Sequence, residues 1–190
     1  MNNFKLTSMF IGILLDKSVF SNLFVQLNSY LRENNLQDHI VLQNINSIHL
    51  TLYYLDSRLL KEEKEKIQLF VDRLRKDLQN LKLNITSFNY FYDQGKQSLC
   101  YFECNNERLI KVNKILKLNF PNSVLENTYS FVPHITLFKI KDYSFFKKHK
   151  KNLEKILIAF SKRMGSRNIF KSVNIFKVDS TKEPELQIPS

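Results

Sequence analysis

Two short runs of this sequence repeat residue types suited to acid–base chemistry. Ser47-Ile48-His49-Leu50-Thr51-Leu52 and Phe131-Val132-Pro133-His134-Ile135-Thr136-Leu137 share the order apolar-His-apolar-Thr-Leu, 134 − 49 = 85 residues apart. Side chains alternate along an extended strand, so His49 and Thr51 share one face and Ile48, Leu50 and Leu52 the other. The second run sorts in the same way, with His134 and Thr136 opposite Ile135 and Leu137. A single histidine in a strand is usually a packed or edge residue. Two of the chain's 4 histidines in the same local pattern are harder to read as packing.

Cleaving a phosphodiester takes one group to deprotonate the nucleophile and another to protonate the departing oxygen. Two imidazoles, each with an ordinary pKa of about 6.5, can divide those tasks near neutral pH, each contributing roughly 10²- to 10⁴-fold. Thr51 and Thr136 would donate to the non-bridging oxygens as charge builds in the transition state. No set of carboxylate, cysteine or histidine ligands accompanies the motifs, so neither a metal nor another cofactor is expected. Strict alternation also puts Tyr53 and Phe138 beside the histidines, where they are expected either to stack on a base or to close the lobe ends. Lys139 falls on the opposite face of a regular strand, so contact with a phosphate requires a bulge or the strand's end. His39 and His149 belong to no motif. The run Lys147-Lys148-His149-Lys150-Lys151 reads as a solvated helix face or as a guide for RNA.

The motifs must be held by strands, and the hydrophobic periodicity supplies them. Strands are expected at Met9 to Leu15, Ile48 to Leu55, Leu83 to Tyr92, Ser98 to Cys104, Phe131 to Ile140 and Ser172 to Val178. Helices are expected at Lys17 to Asn34, Leu59 to Asn80, Asn106 to Asn119 and Phe145 to Met164. Asp93-Gln94-Gly95-Lys96 suits a hairpin turn. The central hairpin and the two-part repeat favour antiparallel sheets over a parallel α/β sheet. The expected class is therefore α+β, two pseudo-symmetric lobes with the helices packed outside a cleft. Residues 1–180 form a single domain, and 181–190 a loose tail.

On these residues the sequence resembles the 2H phosphoesterase superfamily, over nearly its whole length. Pro133-His134-Ile135-Thr136-Leu137-Phe138-Lys139 is similar to the second motif of bacterial 2′-5′ RNA ligase/cyclic phosphodiesterases, with Lys139 where an arginine is common. The first motif departs from that pattern, with Leu55-Asp56 where Leu-Gly is usual and Tyr53 where a basic residue is frequent. Lys139, the Lys-rich helix and Met164-Gly165-Ser166 are closer to the A-kinase-anchoring-protein-like branch, whose relatives include viral 2′,5′-oligoadenylate phosphodiesterases. The resemblance implies a bilobed fold of concave antiparallel sheets. It also implies metal-independent cleavage of 2′,3′-cyclic or 2′,5′-linked phosphates.

Composition fits that expectation. The net charge of +11 favours an anionic partner such as nucleic acid or acidic lipid, although an AT-rich genome that inflates Lys and Asn produces the same excess; with the motifs and the resemblance, the expected partner is RNA or a short oligonucleotide. Cys100 and Cys104 fall on one face of a strand, as reduced core residues of a cytoplasmic or nuclear protein would. No run approaches the roughly 20 apolar residues of a membrane span, and Met9 to Leu15 is too short and too soon followed by Asp16 for a leader. A monomer with no membrane partner is expected. The rival reading is a non-catalytic RNA-binding module that uses the same basic cleft.

Overall fold

The computed structural model describes residues 8–55, 61–121, 130–178 and 185–186. In chain order the elements are β1 (Ser8–Leu15), α1 (Lys17–Glu33), β2 (Ile40–Leu42), β3 (His49–Leu55), α2 (Lys61–Leu78), β4 (Lys82–Asp93), β5 (Lys96–Cys104), α3 (Glu107–Asn119), β6 (His134–Ile140), α4 (Tyr143–Met164), β7 (Ser166–Asn168), β8 (Phe170–Val178) and β9 (Glu185–Leu186). The start expected for α2, at Leu59, lies outside the described residues. Side-chain caps fix three helix starts. The Asp16, Asn106 and Asp142 side chains accept from backbone N–H groups of α1, α3 and α4 respectively. Between β4 and β5, Gln94 and Gly95 both adopt positive φ, 48° and 74°, the backbone a two-residue hairpin turn demands.

Among the described residues all strand pairings are antiparallel, in the order β7-β4-β5-β6-β3-β1-β8-β9, with β2 on the free part of β6. The fold is α+β, with four helices among the described residues against a nearly closed antiparallel sheet. The order is palindromic about β6 and β3, which touch at one bridge, Leu50 to Ile135. Two repeats of strand-helix-strand-helix-strand run through the chain, yet neither lobe is one repeat. β8, the last strand of the second repeat, pairs with β1, and β4, the last of the first, pairs with β5. The helices exchange too. α1 packs on α4 and β2, whereas α3 packs on β3. Each lobe is thus completed by the other repeat.

One face of the sheet is the core. Ile11, Ile13, Leu50, Leu52, Phe102, Ile135, Leu137, Val173 and the inward faces of the helices form a continuous cluster there. Cys100 and Cys104 are buried in it as free thiols, and burial pushes the Cys104 thiol up to about 12. Within the segment expected to be loose, Glu185 and Leu186 pair with Lys177 and Phe176. The opposite, concave face carries the two motifs.

Candidate active site

The single bridge between the lobes sets the site. Leu50 and Ile135 point into the core from the bridge, so the residues flanking each of them point the other way, into the cleft. Extending the antiparallel register by one residue in each direction sets His49 beside Thr136 and Thr51 beside His134. All four motif residues meet on the concave face at the junction of the lobes, His49, His134 and Thr136 half-buried and Thr51 buried.

Each histidine is held in the same way. The His49 Nδ1 lies 2.7 Å from the carbonyl oxygen of Ser47, and the His134 Nδ1 lies 2.7 Å from that of Val132. A carbonyl only accepts, so both Nδ1 atoms carry the proton and donate it. Both Nε2 atoms are left to exchange protons in the cleft. Burial lowers the pKa of both imidazoles below 6.5, against the opposing pull of the Nδ1 bonds, and the charge of His134 lowers His49 further.

Aromatic side chains seat both rings. His49 stacks on Phe10, with centroids 4.8 Å apart, and Phe10 stacks on Phe176 at 4.9 Å. His134 meets Phe91 and Tyr101 edge-on at 4.9 and 5.2 Å, and those two stack at 4.2 Å. Gly12, opposite Thr51, gives the first pair its room. A Cβ there would come within 2.9 Å of the Phe10 ring and 3.1 Å of the Phe176 ring.

The expected stacking residues are not in the cleft. Tyr53 is 3% exposed in the core, its hydroxyl donating to the Phe120 carbonyl at 2.8 Å. Phe138 is fully buried against Phe146. The cause is a bulge in each motif strand. Gly12 pairs with Thr51 but Ile11 with Tyr53, and Tyr101 pairs with Thr136 but Cys100 with Phe138. Leu52 and Leu137 are thus the extra residues, so Leu52 and Tyr53, and likewise Leu137 and Phe138, face the core in succession. The carbonyls that the bulges release are both satisfied. Leu52 accepts from the buried Asn113 side chain at 2.7 Å, and Leu137 from the Gln43 backbone N–H at 2.8 Å.

Beyond each bulge, alternation resumes with its phase reversed. Tyr54 and Lys139, each five residues after its histidine (54 − 49 and 139 − 134), therefore share the concave face with the motif residues. Tyr54, 36% exposed, lies 6.2 Å from Phe10. Lys139 is exposed there. Strict alternation missed Tyr54, Phe10, Phe91 and Tyr101. The only local trace of the bulges is the pair of large apolar residues directly after each threonine.

The other candidates lie elsewhere. Helix α4 buries Phe146, Leu153, Leu157 and Phe160 on the core side of the sheet, so Lys147, Lys148, Lys150 and Lys151 sit behind the cleft rather than at its mouth. The His149 Nδ1 lies 2.9 Å from the Tyr30 hydroxyl, and His39 stacks on Phe145 at 3.8 Å. Among the described residues no three His, Cys, Asp or Glu side chains group as metal ligands, and no helix is long and apolar enough to cross a membrane.

No protein-family model and no curated protein matches the sequence. Among solved structures, the crystal structure of TT0787 of Thermus thermophilus superposes with a TM-score of 0.55 at 20% identity, over 71% of this chain and 75% of that one. The fold is that of the 2H phosphoesterases. Usb1 of Kluyveromyces marxianus also matches, at 11% identity and a TM-score of 0.48 over 92% and 95% of the two chains. At these identities the likeness is one of architecture. Within that architecture this chain sets a tyrosine, Tyr54, in one lobe at the position that Lys139 holds in the other.

Proposed function

We propose that this chain is a 2H phosphoesterase, a metal-independent phosphodiesterase acting on RNA or oligonucleotides that carry a 2′,3′-cyclic phosphate or a 2′,5′-phosphodiester. The observation that carries the proposal is the matched pair of His-x-Thr units at the interlobe bridge, both with Nδ1 tied to the carbonyl two residues back. One neutral Nε2 takes the proton from water or a ribose hydroxyl, and the other, protonated, gives its proton to the leaving oxygen. Thr51 and Thr136 donate to the non-bridging oxygens, where negative charge accumulates. Lys139 neutralises phosphate charge, and Tyr54 takes the stacking role.

The reading is tested by incubating the protein, with and without EDTA, with oligonucleotides bearing 2′,3′-cyclic, 2′,5′ and 3′,5′ phosphates and locating the phosphate in each product. Opening of the cyclic phosphate to a 2′-phosphate, unaffected by EDTA, identifies a cyclic phosphodiesterase. Cleavage restricted to 2′,5′-linked oligoadenylate identifies the other branch. Binding without turnover of any of the three identifies the RNA-binding module instead.

A further inference from the structure

The concave face of the second lobe holds a carboxylate that the acid–base scheme does not use. Glu103 lies directly across from His134 in the β5–β6 ladder, on the same face. It is half-buried, and neighbours on β4 fix it. The Ser87 hydroxyl donates to one carboxylate oxygen at 3.2 Å and the Asn89 amide to the other at 3.0 Å. Each oxygen has two acceptor positions, so each keeps one after these bonds. The Glu103 charge contributes to raising the Tyr101 hydroxyl pKa, second to burial. The His134 ring is oriented through its Nδ1 by the Val132 carbonyl rather than by this carboxylate.

A fixed negative charge beside a phosphate site repels substrate unless it meets a donor there. Alternate side chains on a strand stand about 7 Å apart, roughly the length of a purine. The half-exposed Phe91 ring covers Tyr101, the residue two positions before Glu103. A purine lying on the outer face of Phe91 thus presents its far edge to the carboxylate. Two parallel acceptor oxygens match two adjacent donors, and among the four bases only guanine has them, N1–H and the N2 amine. The amines of adenine and cytosine adjoin a ring-nitrogen acceptor, and uracil has one N–H between two carbonyls.

Resting on the phosphodiesterase reading for its phosphate but not for its base, we propose that Glu103 and Phe91 form a guanine-selective subsite beside His134. Paired recognition of this kind is worth roughly a tenfold to a hundredfold preference. The test is calorimetric titration of the full chain, wild type and Glu103→Gln, with the 2′-monophosphates of guanosine, inosine, adenosine, cytidine and uridine. Turnover of the corresponding 2′,3′-cyclic nucleotides is measured alongside. Expected for wild type is guanosine bound tightest, inosine weaker for want of the N2 amine, and the rest weaker still. Glu103→Gln should remove the guanosine advantage and leave binding of the other bases within about twofold, because its amide offers a donor where an acceptor is needed. Equal wild-type binding of all bases, or equal weakening of all by Glu103→Gln, as a contact to ribose hydroxyls would give, overturns the subsite. Guanosine selectivity without turnover would leave the subsite standing and remove the hydrolase.

Discussion

Exchanging the roles of two adjacent tyrosines is the most specific consequence of the bulge at Leu52. Tyr53 is 3% exposed and gives its hydroxyl to the Phe120 carbonyl, whereas Tyr54 is 36% exposed on the concave face. Tyr53→Phe keeps the ring and loses one hydrogen bond, a cost of about 1 kcal/mol. In a domain of this size that lowers Tm by roughly 2–4 °C. Tyr53→Ala empties a core position and should cost about 3–5 kcal/mol, roughly 6–20 °C. Tyr54→Ala removes a surface ring and should leave stability within about 0.5 kcal/mol. It withdraws base stacking of about 1–3 kcal/mol, which weakens substrate roughly tenfold to a hundredfold. Thermal melts and KM values for an oligonucleotide substrate separate the two. A Tyr53→Phe variant that keeps its Tm but loses substrate affinity, or a Tyr54→Ala variant that melts early and binds normally, would refute the bulge as the cause of the exchange.

Both imidazoles have pKa values held below 6.5 by burial, so their protonated forms are already being lost below that pH. Catalysis needs one ring protonated, and kcat/KM reports the free enzyme. Its alkaline limb should therefore begin on the acid side of 6.5, as a pH–rate profile would show. The same shifts mean that the unfolded chain binds more protons than the folded one as pH drops from 6.5 through the lowered folded values, so melts should show stability falling in that window. Asn113→Ala strips the partner from the buried Leu52 carbonyl; a loss of about 1–3 kcal/mol in denaturant melts is expected, with a rise in KM through Tyr54. Lys139→Met should raise KM for short phosphorylated substrates by about tenfold, while neutralising Lys147, Lys148, Lys150 and Lys151 together should leave it within twofold, in the same steady-state assay.

The motifs were legible because a strand's alternation is local. His49 with Thr51 and His134 with Thr136 need only their own few residues to share a face. The elements that carry them were legible for the same reason, down to the hairpin turn at Gln94 and Gly95. Tyr53 and Phe138 were misplaced because the bulges at Leu52 and Leu137 are set by pairing with β1 and β5, and by the partners that Asn113 and Gln43 offer the freed carbonyls. Such contacts span tens of residues and leave almost no mark on the motif itself. β2, β7 and β9, of two or three residues each, are too short for any periodicity to show. The exchange of β4 and β8 between the lobes is a matter of which edges meet, and chain order is silent on that.

The most direct measurement is kcat/KM on a 2′,3′-cyclic phosphate oligonucleotide for His49→Ala, His134→Ala and the double variant, each checked for an unchanged melt. Two rings working as one acid–base unit predict a loss of roughly 10²- to 10⁴-fold for either single change, and little further loss when both are made. Either single variant retaining activity within about tenfold of the wild type would contradict it.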